Sequence, residues 1–180
     1  SSPPTWSVVS GSSYTFTLNP SSGSGTYVIE YYAIDNAGNT ESVKSTTVKI
    51  DADSPSASHS MSGTVGNNDW YTSSVSITLT ATDSSSGVDQ IKYRIDGGSW
   101  TVYSGTFSIY SDGEHVIEYY ATDKVGHSSS TKSITVKIDK TKPNSSHNIA
   151  GTYINSWYKD EITITITTSA DTSGVNMLYY

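Results

Sequence analysis

The chain has 180 residues, no cysteine, and a formal net charge of −7 with Arg94 as its single arginine. That excludes a disulfide scaffold, speaks against nucleic acid and anionic membrane surfaces as partners, since both need clustered Lys and Arg, and leaves no run near the ~18 apolar residues of a membrane helix. Hydrophobic residues make up 34% and Ser plus Thr about a third of the chain, with 14 Tyr and 4 Trp against 2 Phe, an aromatic supply suited to half-wet surfaces.

Taken in order, residues 6–11 read WSVVSG and residues 27–51 read YVIEYYAIDNAGNTESVKSTTVKID. Residues 56–60 suit a short strand, and 63–74 (GTVGNNDWYTSS) carry turn chemistry and read as a loop. Residues 75–81 alternate, with Val75, Ile77, Leu79 and Ala81 on one face and Ser76, Thr78 and Thr80 on the other, the pattern of a half-buried strand. After the DSSSG turn at 83–87, residues 88–95 put Ile91, Tyr93 and Ile95 inward. Asp96-Gly97-Gly98 is a hairpin signal, because glycine accepts the positive φ of tight hairpins. Strands follow at 100–103, at 106–110, at 115–122 with Ile117, Tyr119 and Ala121 inward, and at 132–138 with Ile134, Val136 and Ile138 on one face. About seven short strands with no helical periodicity predict an all-β sandwich.

The chain also repeats itself. Residues 27–63 match residues 115–151 at an offset of 88 positions. Beyond them Trp157-Tyr158 matches Trp70-Tyr71; Ile162, Ile164 and Ile166 match Val75, Ile77 and Leu79; Gly174-Val175 matches Gly87-Val88. The WSVVSG of residues 6–11 matches WTVYSG at 100–105, so that joining Tyr180 to Ser1 regenerates the middle of a unit. Self-similarity at fixed spacing marks a modular array. The expected organisation is a complete unit at 51–139, the C-terminal half of a unit at 1–50, and the N-terminal half of the next at 140–180, complementary to 1–50. Each half alone would expose hydrophobic sheet surface to water.

Four motifs carry a resemblance: WYTS at 70–73, ATDSSSGV at 81–88, YRIDGGSW at 93–100, and YYATDKVG at 119–126. With them the chain resembles, over nearly its whole length, the bacterial and archaeal Ig-like repeats of secreted and surface proteins, among them those of leptospiral outer-membrane-lipoprotein type. The resemblance implies tandem Ig-like β-sandwiches, extracellular or cell-surface location, and work as spacers, stalks or adhesion elements. Residues 1–4 (SSPP) and an insertion at 19–24 depart from it. It also implies that Leu79 and Ile117 take the places of a disulfide between the second and sixth strands. Tyr27 then holds a tyrosine-corner position, and His115 the same position one unit on.

No nucleophile, base and orienting group occur in a recognisable set, so the chain reads as non-enzymatic. His59 and His147 recur at the repeat without further soft ligands nearby and read as structural; His127 stands where the other copy has Asn39. Carboxylates gather at the unit boundaries. Asp51 and Asp53, with Asp35 or Asp83 from neighbouring loops, are candidate calcium ligands, since calcium takes six to eight oxygens. Asn144 in Asn144-Ser145-Ser146 is a candidate glycosylation site in what reads as a linker. Trp70-Tyr71 and Trp157-Tyr158 are candidates for stacking on sugars, but their recurrence favours packing. Two functional readings follow. One is a structural repeat whose partners are adjacent repeats or copies of itself, joined end to end as a stalk or filament. The other is an adhesin or carbohydrate-binding accessory whose partners are surface glycans.

Overall fold

A computed structural model describes residues 6–18, 23–169 and 171–180. The departure at residues 1–4 and most of the insertion at 19–24 lie outside the described residues. The described residues are all-β, and no helix among them is long and apolar enough to cross a membrane.

The middle unit is a two-layer sandwich. One sheet orders β3 (Ser56–Ser62), β5 (Val75–Thr82) and β8 (Phe107–Ile109); the other orders β4 (Trp70–Tyr71), β10 (Lys132–Ile138), β9 (Gly113–Asp123), β6 (Val88–Ile95) and β7 (Thr101–Val102). Period-two alternation turns Val75, Ile77 and Leu79 of the first sheet against Ile117, Tyr119, Ala121, Val136 and Ile138 of the second, all buried, with Ile91, Tyr93 and Ile95 packed at the margin. Leu79 and Ile117 both belong to this core. The Asp96-Gly97 turn joins β6 to β7 with φ of +50° and +70° and a Gly98 N–H to Ile95 C=O bond of 2.9 Å, the geometry expected of a tight hairpin.

One expectation is corrected. Residues 63–74 are not wholly loop: Trp70 and Tyr71 form β4, which runs parallel to β10 with Trp70 opposite Lys137 and Tyr71 opposite Ile138. Two residues are too few to show alternation; what defines the strand is its pairing with the β10 edge, with Tyr71 also bridging Val65 on its other side. Gly63 lets the chain pass close beneath this strand: a Cβ there would stand 2.9 Å from the Tyr71 ring, and one at Gly151 3.1 Å from the Tyr158 ring.

The flanks form partial sheets. β1 (Gly25–Tyr31) pairs antiparallel with β2 (Lys44–Ile50), in the register that β9 and β10 use in the middle unit. β11 (Asn144–Ala150) pairs with β14 (Thr163–Ser169) as β3 pairs with β5, and β12 (Tyr153–Ile154) pairs with β13 (Trp157–Tyr158). Their apolar faces are open. Tyr31 is 51% exposed where its counterpart Tyr119 is 1%, and Ile164 is 55% exposed where Ile77 is 0%.

Candidate functional site

The chain leaves each unit through a five-residue connection: DADSP at 51–55 between β2 and β3, and DKTKP at 139–143 between β10 and β11. Both begin with Asp and end with Pro, and both aspartates are used alike. Asp51 Oδ1 accepts the Asp53 N–H at 3.0 Å and the Ser24 hydroxyl at 3.4 Å, while Oδ2 accepts the Ser86 N–H at 2.9 Å. Asp139 Oδ1 accepts the Thr141 N–H at 3.0 Å, and Oδ2 the Ser173 N–H at 2.8 Å. Ser86 and Ser173 sit at the same place in the turn after the second strand of their units. Asp83 organises the first turn by accepting the N–H groups of Ser85 and Gly87, and Asp171 the second by accepting that of Gly174.

These bonds favour the charged form. Hydrogen bonding from Ser86, opposed by burial and helped by Asp53 and Ser24, holds the Asp51 carboxyl below its ordinary range. Ser173, then Thr141, does the same for Asp139. Burial opposes ionisation of Asp123, yet the N–H groups of His127, Val125 and Gly126 outweigh it and its pKa is also lowered. His127 Nδ1 closes this loop on Asp123 Oδ2 at 3.0 Å; in the preceding copy the Asn39 side chain closes it on Asp35 at 2.7 Å.

Of the candidate calcium ligands, Asp51 and Asp53 do share a partner, with the Ser24 hydroxyl 2.5 Å from Asp53 Oδ2. Asp35 and Asp83 cap their own loops. Potential ligand atoms of Asp123 and His127 instead lie within 4.8 Å of one from Asp51, a grouping not drawn from the sequence. The recurring Asp-x-x-Gly-Asn/His loop was its available signal, because such a loop at the sandwich end faces the incoming connection. Protein donors engage the carboxylate oxygens of this group.

The other sites distribute as follows. His59 Nδ1 lies 2.7 Å from the Tyr119 hydroxyl, a structural contact, and His147 is exposed on β11. The Tyr27 hydroxyl donates to the Gly23 carbonyl at 2.9 Å, and His115 Nε2 lies 3.2 Å from the Ser111 carbonyl, so both hold the corner four residues back. His115 also bonds Asp96 through Nδ1 at 2.8 Å, a side-chain partner its corner position did not announce. Asn144 is exposed but opens β11 opposite Ser169; it lies in a strand rather than a linker, because the β11–β14 register reaches it. Trp100 meets Tyr120 edge-on at 4.8 Å beneath the Arg94 guanidinium, and Trp6 meets Tyr32 edge-on at 4.9 Å at the corresponding place. Trp70 lies under the Lys137 ammonium, whereas Trp157 is 78% exposed.

The sequence profile of the bacterial Ig-like domain family matches residues 5–52. Among solved structures, the chain is similar to the fibronectin(III)-like modules of Clostridium thermocellum CbhA, at 20% identity and a TM-score of 0.37. That match covers 64% of this chain and 64% of the other. No curated protein matches. The matched segment holds β1 and β2, whose sequence and pairing recur as β9 and β10 inside the complete sandwich. The described architecture is an all-β sandwich, and the family match bears on the segment 5–52.

Proposed function

We propose that the chain is a non-catalytic structural segment of an extracellular or cell-surface protein, built of Ig-like units joined end to end. The finer kinship, to repeats of leptospiral lipoprotein type, rests on the motifs alone. In this reading the flanks at 1–50 and 140–180 are complementary parts of one sandwich, supplied to each other by adjacent repeats or by a second copy.

The observation that carries it is the contrast between equivalent strands. Val75, Ile77 and Leu79 are buried by β9 and β10, while Ile162, Ile164 and Ile166 stand open. The face that buries the first set is duplicated in β1 and β2, whose Ile29, Val48 and Ile50 are only partly buried. Burying such a side chain contributes roughly 1.5–3 kcal/mol, so three isoleucines meeting three partners give ample drive for closure. Recurrence of the Trp–Tyr pair at 100/120 and 6/32 supports a scaffold role for the aromatics over a glycan platform, since a scaffold is copied with its unit.

The test is a chain carrying two copies in tandem, so that residues 140–180 run into residues 1–50 of the next copy. Amide exchange at β14 of the first copy should fall to the level of β5, and Ile164→Lys should abolish that protection. Exchange at β14 as fast in the tandem as in the single chain defeats the reading.

A further inference from the structure

The two boundary carboxylates do more than cap a turn. Each has two acceptor oxygens, and the structure splits them the same way twice: one oxygen binds the connection that follows it, the other the N–H of Ser86 or Ser173 in the sandwich or partial sheet that the connection leads into. We propose that Asp51 and Asp139 are orientation locks that fix the angle between successive sandwiches. Relative motion is the default for modules joined by a short exposed connection. Here the connection has the same length at both boundaries, ends in a proline whose φ is restricted, and is pinned at its first residue to the unit ahead. Pro55 is itself buried at the first boundary.

The chemistry asks for a carboxylate. Asparagine offers one acceptor and turns an NH2 donor toward the other N–H, so one of the two bonds is lost. Alanine loses both. The lock needs no cation and does not depend on what covers the flanks: it joins residues of this chain to one another. The sequence signature is Asp at the first position of the connection and a Ser immediately before the glycine of the following unit's turn, at 51 with 86 and at 139 with 173.

The absence of cysteine allows spin labels to be placed at will. Labels at the exposed positions Thr47→Cys and Ser99→Cys report the first boundary, and at Ser99→Cys and Thr165→Cys the second. Electron–electron resonance distances should form one narrow distribution for each pair. Asp51→Asn should broaden the first pair at least twofold and leave the second narrow; Asp139→Asn should do the reverse. Asp89→Asn, at an exposed carboxylate that accepts a bond from its neighbour Gln90, should change neither. Broad distances in the unsubstituted chain, or widths untouched by either boundary substitution, overturn the lock. Should Asp51→Asn unfold the middle sandwich, amide exchange in the unsubstituted chain decides: protection of the Ser86 and Ser173 N–H groups supports the lock, and exchange at the intrinsic rate overturns it. Failure of flank completion would appear in β14 exchange alone and leave these distances as they are.

Discussion

At the scale of single residues, Tyr119 and Asp123 show how a polar group is buried together with its partner. Tyr119 is the largest fully buried side chain, and its hydroxyl meets His59 Nδ1 across the two sheets. Burial pushes its pKa up, so the hydroxyl stays neutral and keeps its proton. Tyr119→Phe keeps the ring and removes the bond, and should lower stability by about 0.5–1.5 kcal/mol in urea denaturation of the full chain. Asp123 shows the same rule more strongly. Its side chain is fully buried, and both its oxygens are engaged by one loop. That His127 and Asn39 alternate at the closing position has a plain reason: each offers a side-chain nitrogen at the distance the Asp oxygen requires.

At the scale of elements, the same sequence pattern leads to different burial depending on its neighbours. β5 and β14 both alternate β-branched and apolar residues with Ser and Thr. β5 is flanked by β3 and β8 and covered by the facing sheet; among the described residues β14 pairs with β11 alone. A parallel pair of truncations makes the difference measurable. Ile77→Ala should cost about 2–5 kcal/mol, the cost of a core cavity, whereas Ile164→Ala in the single chain should cost under ~0.5 kcal/mol, as for an exposed substitution. Chemical denaturation followed by tryptophan fluorescence would separate the two. The outer faces behave alike in both units: Ser58 bonds Thr80 at 2.7 Å and Ser146 bonds Thr167 at 2.8 Å, cross-strand hydroxyl pairs that tie the sheets on the wet side.

At the scale of the whole molecule, acidity is written into the junctions. Asp51, Asp123 and Asp139 are all held below the ordinary carboxylate range, as is Glu118 by Arg94. Each binds fewer protons folded than unfolded. The stability they contribute is complete above the unfolded value of about 3.9 for Asp and is lost as pH falls through the lower folded values. Other titratable groups close to them are Asp53, Asp83, His127 and Lys124 at the first boundary and Asp171, Lys140 and Asp112 at the second. Melting temperature measured by calorimetry should stay level between pH ~8 and ~5 and drop steeply below pH ~4. The strands of the middle unit other than β4, their inward faces and the Asp96-Gly97 hairpin were legible in the sequence, because alternation and positive-φ turn residues are local properties that any window of the chain displays. The repeat, too, is a property of sequence alone. The two-residue β4, the bond from His115 to Asp96, and the meeting of Asp51 with Ser86, Asp123 and His127 were decided only by the tertiary structure. Each joins groups distant along the chain: strand pairing within one sheet sets β4 beside β10 and Asp96 beside His115, and the end loops of the sandwich bring Ser86, Asp123 and His127 to Asp51.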